Sequence, residues 1–98
     1  MLIAEQWVLV TGGARGLGQA ITRALAREGA GVVINYHRSD KAAAALAEEL
    51  GPRAIALQAD VTDTVAVHQL FAQAHERTGQ AISSVVNNAL VGFRFDGD

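Results

Sequence analysis

The chain has no cysteine, and among its 98 residues it has one proline, one tryptophan and one tyrosine. It therefore forms no disulfide and offers no thiolate nucleophile. Its apolar runs fall short of the roughly 18 residues that cross a membrane, and its first residues lack the basic start of a signal peptide. The net charge is −2 with no block of one sign, which argues against nucleic-acid binding. We expect a cytoplasmic protein that binds neither nucleic acid nor membranes.

The three histidines give no metal-binding pattern. His68 and His75 are seven residues apart and could share one helix face, but no carboxylate completes a ligand set with them. We therefore expect no metal site.

Short apolar strands alternate with helical segments along the chain. Strands are predicted at 7–10, 32–36, 54–58 and 82–86. The first helix is predicted at 17–27, the second begins at Ser39 or Asp40 and ends before Gly51, and the third begins within 62–64 and ends before Gly79. This order is typical of βαβ crossovers and a parallel sheet, so we predict one α/β domain over residues 1–98.

Apolar residues recur at helical spacing in each predicted helix, which indicates the faces that pack on the sheet. Gln19, Arg23 and Arg27 are expected in solvent. The predicted apolar faces are Leu17, Ala20, Ile21, Ala24 and Leu25 in the first helix, Ala43, Leu46, Ala47 and Leu50 in the second, and Val67, Leu70, Phe71 and Ala74 in the third.

A glycine-rich turn links the first strand to the first helix, with the spacing Gly12-x-x-x-Gly16-x-Gly18. Gly12 lets the chain turn sharply, Gly16 leaves room for a ligand, and Gly18 lets the helix lie close against the sheet. Such a turn presents backbone N–H groups and the positive end of a helix dipole to a diphosphate. The alternative is a glycine-rich connection that binds nothing.

Three segments resemble motifs of the short-chain dehydrogenase/reductase family, in the same order. Residues 11–18 (TGGARGLG) resemble its T-G-x-x-x-G-x-G motif, Asp60-Val61 occupies its adenine-contacting position, and residues 87–89 (NNA) resemble the start of its N-N-A-G motif. Leu90 stands where the motif has glycine, and its side chain could crowd the ribose. Within the family, the chain is most similar to bacterial 3-oxoacyl-acyl-carrier-protein reductases. The resemblance implies a truncated doubly wound, Rossmann-like sheet of order 3-2-1-4 flanked by helices.

The resemblance also implies where a dinucleotide binds. Asp60 has a second interpretation as a turn or capping carboxylate, the two asparagines could form an ordinary turn after a strand, and Asp63 is expected to cap the third helix. The implied contacts are Gly12, Ala14, Arg15, Gly16, Leu17 and Gly18 in the glycine-rich turn, Asp60 and Val61 for the adenine, and Asn87, Asn88 and Ala89 for the ribose next to the nicotinamide.

The end of the second strand indicates which cofactor is bound. NAD sites usually place Asp or Glu there, whereas this chain has Tyr36, His37, Arg38 and Ser39 and no carboxylate before Asp40. Arg38 can pair with a 2′-phosphate, with Arg15 approaching from the other side and Ser39 donating a further bond. We therefore predict NADP(H) rather than NAD(H). The alternative is that Arg38 is a solvated loop charge.

The groups that perform chemistry in the family are missing from this chain. The family uses a tyrosine, a lysine four residues later, a serine and an asparagine. Here the only tyrosine and lysine, Tyr36 and Lys41, are five residues apart and lie at the adenosine end. We therefore predict no catalytic residue in residues 1–98, and the cofactor-binding half of an enzyme that reduces a carbonyl, such as a 3-oxoacyl thioester, to a secondary alcohol.

Two other functions remain open, namely a nucleotide-binding or assembly module without catalysis and a Rossmann-like methyltransferase. The predicted strand order leaves the fourth strand with an unpaired edge, which invites association. We expect the edge to be covered by the complementary part of the protein as a separate polypeptide, or by a second copy of the chain.

Overall fold

The structure is a computed structural model that describes residues 6–88. No helix in this range is long and apolar enough to cross a bilayer. The first helix begins one residue earlier than predicted, and the fourth strand begins two residues later. In chain order the elements are β1 (Trp7–Val10), α1 (Gly16–Arg27), β2 (Gly31–Tyr36), α2 (Asp40–Leu50), β3 (Ala54–Gln58), α3 (Thr64–Thr78) and β4 (Ser84–Val86).

The four strands form one parallel sheet of order β3-β2-β1-β4, which confirms the predicted fold. In the register Leu9 pairs with Val33 on one side and with Val85 on the other. Because all strands are parallel, their carboxyl ends lie along one edge of the sheet. The glycine turn after β1, the end of β2 and the segments after β3 and β4 therefore meet at this edge.

Helices cover both faces of the sheet. Val10 and Ile34 face α1 and α2 and pack with Leu46, while Leu9 and Val33 point to the opposite face and pack with residues of α3 such as Leu70. Since successive side chains of a strand point to opposite faces, both sets must be apolar. This explains the nearly unbroken apolar sequences of β1 and β2.

The predicted apolar face of α2 is correct, whereas that of α1 is partly wrong. The side chain of Leu17 is 63% exposed, and Ala20 and Ala24 are also exposed. The fully buried positions of α1 are Gly18 and Thr22. Ile21 and Leu25, also predicted, pack against the core, but a pattern built from apolar residues alone could not detect a buried glycine and threonine. In α3, Leu70 and Ala74 are buried as predicted, Val67 is half-buried, and Phe71 remains 40% exposed.

Arg23 was expected in solvent but forms a two-pronged ion pair with Glu49 of α2. Its Nη2 lies 3.1 Å from Oε1 of Glu49, and the other nitrogen, Nη1, contacts Oε2. The hydrogen bonds lower the pKa of Glu49 and raise that of Arg23. Because both side chains are partly exposed, this pair adds little to stability, although it links α1 to α2.

Trp7 anchors the amino end of the sheet. Its ring lies against Gly31, where a Cβ atom would come within 2.6 Å of the indole. The guanidinium carbon of Arg53 is 5.3 Å from the centre of the ring, a cation–π distance. The single tryptophan is therefore buried at the end of β1 opposite the glycine turn.

Two leucines test which surface of the helices supports the fold. Leu46 is 2% exposed and lies in the core, so Leu46→Ala should lower the free energy of unfolding by about 2–5 kcal/mol. Leu17→Ala makes the same change at an exposed position and should cost less than about 0.5 kcal/mol. Urea unfolding followed by circular dichroism measures both, and equal losses would contradict the assigned core.

Candidate functional site

The glycine turn has the backbone conformation that its sequence predicts. Gly12 and Gly16 have φ angles of 61° and 55°, in the left-handed region. Residues with a Cβ atom are strained there, whereas glycine is not. Gly12 turns the chain off β1, and Gly16 is the first residue of α1.

Gly18 and Gly13 are needed because of close packing. A Cβ atom on Gly18 would lie 2.0 Å from the carbonyl oxygen of Gly12 and 2.7 Å from Nδ2 of Asn88. The sequence analysis predicted that Gly18 lets α1 lie close against the sheet. In the structure, the close contact of Gly18 is instead with the glycine turn. Gly13, which the sequence analysis did not single out, would place a Cβ atom 2.9 Å from the carbonyl oxygen of Val10.

The N-terminus of α1 is open. Arg15 is the N-cap residue in an extended conformation, its side chain makes no capping bond, and the first turn contains no acidic residue. The intrahelical bonds begin with the N–H of Gln19, which donates to the carbonyl of Arg15 over 3.2 Å. The N–H groups of Gly16, Leu17 and Gly18 precede it and have no acceptor within the helix. Together with the helix dipole they form an arrangement suited to an anion.

Both asparagines after β4 contact the turn. The Thr11 N–H donates to the carbonyl of Val86 over 3.0 Å, and the Thr11 hydroxyl lies 3.4 Å from Oδ1 of Asn87. Nδ2 of Asn88 donates to the carbonyl of Gly12 over 3.2 Å. The structure thus brings Asn87 and Asn88 to the turn, 76 residues away in sequence. Ala89 and Leu90 lie outside the described residues.

Asn35, near the end of β2, is a site residue that the sequence analysis missed. It is 2% exposed, and its Oδ1 accepts the N–H of Gly12 over 3.4 Å. Its Nδ2 donates to the carbonyls of Ala59 over 3.2 Å and Leu57 over 3.5 Å. The available signal was a lone amide inside an apolar strand, which in a buried position must find partners.

The residues that follow β2 lie beside the segment that follows β3. Nε2 of His37 is 3.9 Å from Oδ2 of Asp60. Arg38 is exposed, as is Arg15, and Tyr36 is half-buried. Ser39 is the N-cap of α2 without a side-chain capping bond. Among the predicted contacts near the 2′-phosphate, His37 therefore lies beside Asp60 after β3, whereas Arg15 lies at the N-terminus of α1. Both arginines are open to solvent.

Asp60 holds the turn after β3. Its Oδ1 accepts both the N–H of Thr62, over 2.9 Å, and the Thr62 hydroxyl, over 2.6 Å. These two bonds lower the pKa of Asp60, the hydroxyl most, with smaller contributions from the positive charges of His37 and Arg38. Of the two interpretations of Asp60, the turn is thus observed, while adenine contact stays a prediction. Asp63 caps α3 as predicted, accepting the N–H of Val65 over 2.9 Å.

An apolar groove lies beside the site on the α3 face, with a volume of about 240 Å³. Val85, in the outermost strand β4, is 49% exposed, and Phe71 across the groove is 40% exposed. The groove is lined by Leu9, Thr11, Val61, Val67, Leu70, Phe71, Val85 and Asn87. The described residues include no group of three or more histidines and carboxylates that could hold a metal ion.

Comparison with known proteins identifies the family. The model of the family described as short chain dehydrogenase matches residues 6–95. The chain belongs to the short-chain dehydrogenase family. This confirms the family resemblance, whereas the finer likeness to 3-oxoacyl-acyl-carrier-protein reductases stays a prediction.

Curated members of the short-chain dehydrogenase family are similar over most of this chain. The hydroxynaphthalene reductase-like protein Arp2 of Metarhizium acridum is 39% identical over 90 residues, covering 89% of this chain and 33% of that protein. The L-rhamnose 1-dehydrogenase (NAD(P)(+)) of Azotobacter vinelandii is 43% identical over 95 residues, covering 91% and 37%. The chain therefore spans about a third of the length of these relatives.

A solved structure supports the same conclusion. FolM alternative dihydrofolate reductase 1 from Brucella canis, crystallised in complex with NADP, is 39% identical to this chain and superimposes with a TM-score of 0.71. The match covers 79% of this chain and 32% of that one. The Rossmann-like fold of this chain therefore matches about a third of that structure.

The pKa of Asp60 gives a test of the turn after β3. Because the Thr62 hydroxyl is the main cause of the lowered pKa, Thr62→Ala should raise it toward the ordinary value. A pKa lowered by folding adds stability above the unfolded-state pKa, and this stability is lost as the pH falls through the folded-state value. Thr62→Ala should therefore lose stability above about pH 4 and become less sensitive to acid.

NMR titration of the Asp60 carboxyl measures this pKa directly. Thr64→Ala is the matched control, because Thr64 is exposed and is not a bonding partner of Asp60. An Asp60 pKa that rises equally in both variants would show that the Thr62 hydroxyl is not the cause.

Proposed function

We propose that residues 1–98 are the NADP(H)-binding half of a short-chain oxidoreductase that reduces a carbonyl to a secondary alcohol. The observation that carries this proposal is the open N-terminus of α1, where a Cβ atom on Gly16 would meet no neighbouring atom within 4 Å. Three N–H groups, a helix dipole and no acidic residue meet there. These features are typical of a turn that binds a diphosphate, and an ordinary connection between a strand and a helix does not need them.

The residues present suit each group of the cofactor in turn, namely the diphosphate, the 2′-phosphate, the adenine and the ribose. NADP(H) supplies or accepts the hydride when it is bound, and this chain's residues would hold its other groups. The N–H groups of 16–18 would bind the diphosphate, with Gly12 and Ala14 shaping the turn. The remaining proposed contacts are Arg15, Tyr36, His37, Arg38 and Ser39 around the 2′-phosphate, Asp60 and Val61 at the adenine, and Asn87, Asn88 and Ala89 at the ribose next to the nicotinamide.

The charge around the end of β2 favours NADP(H) over NAD(H). A carboxylate that accepted the ribose 2′-hydroxyl would repel a 2′-phosphate. The carboxylate beside His37, that of Asp60, accepts two bonds from Thr62 through its Oδ1 atom. The exposed guanidinium of Arg38 remains available for a phosphate. The NADP complex of the Brucella canis neighbour supports this choice, and the name of the Azotobacter enzyme allows either cofactor.

The chain alone is proposed to lack catalysis. Tyr36 ends β2 and Lys41 lies exposed in the first turn of α2, so neither belongs to a catalytic pair at the turn. The acid and the substrate contacts would come from the two thirds of the relatives that this chain does not span. The proposed substrate is a small carbonyl compound, with 3-oxoacyl thioesters as the class that the sequence resemblance favours, and the proposed location is the cytoplasm. NADPH oxidation by the chain alone would contradict this proposal.

Cofactor titration tests the proposal. NADPH fluorescence should change on binding to the chain, with weaker binding of NADH. Arg38→Ala should weaken NADPH roughly 10- to 100-fold, because it removes a charge-assisted bond, and leave NADH unchanged. Lys41→Ala is the matched control, since it removes a nearby exposed cation and should change little. Displacement of NADPH by S-adenosylmethionine, or equal affinity for both nicotinamide cofactors, would contradict the assignment.

We further propose that the open edge of β4 and the apolar groove are covered by polypeptide. In an enzyme as long as the relatives, the complementary part of the same domain would cover them. In the isolated chain, a second copy would do so through its own β4, because an exposed parallel edge beside an apolar surface favours pairing.

Sedimentation velocity of the 98-residue chain tests this association. We expect self-association at micromolar concentration that Val85→Lys reduces, since it charges the edge strand. Val65→Lys is the control, because Val65 is 64% exposed but does not line the groove. A monomer that melts cooperatively at this concentration would contradict the proposed association.

A further inference from the structure

The buried amide of Asn35 stands apart in an apolar strand. The preceding residues of β2, Val32, Val33 and Ile34, are all fully buried, and Asn35 is 2% exposed. Burying an amide is costly unless its hydrogen bonds are made. The Asn35 side chain makes bonds at both ends, so the cost is offset by a specific set of partners.

These partners belong to two different parts of the candidate site. Oδ1 accepts the N–H of Gly12, and the Asn35 backbone carbonyl accepts the N–H of Gly13 over 3.0 Å. On its other side, Nδ2 donates to the carbonyls of Ala59 and Leu57. Ala59 directly precedes Asp60 and Val61. One residue thus joins the glycine turn to the segment after β3.

The chemistry of the partners fixes the orientation of the amide. A flipped side chain would turn its NH₂ group toward the N–H of Gly12 and its oxygen toward two carbonyls. Both contacts would then be repulsive. The network therefore requires an acceptor facing the turn and a donor facing β3, and asparagine supplies both within one short side chain.

We propose that Asn35 is a positioning residue that sets the spacing between the diphosphate turn and the adenine segment, which rests on the function proposed above. Asn35 touches no part of the cofactor in this proposal. It acts by holding the Gly12 backbone and the Ala59 carbonyl in fixed relation, so that the diphosphate and the adenine of one dinucleotide meet their contacts together. Preorganisation of this kind strengthens binding because less order has to be gained in the complex.

Asn35→Asp tests this role with pH. A protonated carboxyl has the shape of the amide and can both accept from Gly12 and donate to Ala59, whereas a carboxylate cannot donate. Burial against two carbonyls should raise the pKa of the introduced acid. We expect NADPH binding by Asn35→Asp to be at least about tenfold weaker than wild type at pH 8 and to approach wild type as the pH falls toward 5.

Wild type and two further variants complete the experiment. The other charged groups near the site, His37, Arg38 and Asp60, are unchanged in every variant, and the cofactor is the same throughout. The affinity ratio to wild type at each pH therefore isolates the effect of residue 35. Asn35→Leu, of similar size, should bind weakly at all pH values. Thr22→Val is the matched control, because the buried Thr22 hydroxyl donates to the Gly13 carbonyl over 3.1 Å but has no bond to β3. It should lower stability without a pH-dependent affinity ratio.

The outcomes separate the two proposals. If wild type binds NADPH but Asn35→Asp shows a ratio that does not change with pH, the positioning role is wrong. The same holds if Thr22→Val reproduces the pH dependence. If wild type binds no dinucleotide, the proposed function itself is wrong, and the role of Asn35 fails with it. Should Asn35→Leu fail to fold, Asn35→Asp at acidic pH still gives the decisive comparison.

Discussion

The contact between Gly18 and the carbonyl of Gly12 is the constraint on which the site depends. Helix α1 passes so close beneath the turn that even one carbon atom at position 18 would overlap the backbone. Because of this contact, the first N–H groups of the helix lie at the turn. The same Gly12 carbonyl accepts the Asn88 side chain, so the segment after β4 is held against the turn as well.

The fold could be predicted because its signals are local and repeated. The order of elements follows from apolar strands, helical spacing and terminal glycines such as Gly79. The handedness of βαβ crossovers then restricts the possible topologies of the sheet. The face of α1 was predicted less well, because tertiary contacts set it. Thr22 faces inward since its hydroxyl reaches Gly13, and Gly18 faces inward since the turn lies there. The spacing of apolar residues carries no information about either of these contacts.

The residues of the candidate site also fall into two groups, those that sequence motifs identify and those that tertiary contacts determine. Gly12 and Asn88 belong to recognisable motifs, although the hydrogen bond between them was not predicted. Asn35 belongs to no motif that was considered, and its partners Gly12 and Ala59 are 23 and 24 residues away. Its role depends on which backbone groups lie within reach of its amide, and the predicted strand order does not specify these contacts.

The position of Trp7 has a practical consequence. This sole indole is enclosed by Gly31 and Arg53 at the amino end of β1, four residues or about 13 Å along the strand from Thr11. Its ultraviolet emission should respond when the sheet opens. The molecule therefore carries an intrinsic optical reporter of its folded state.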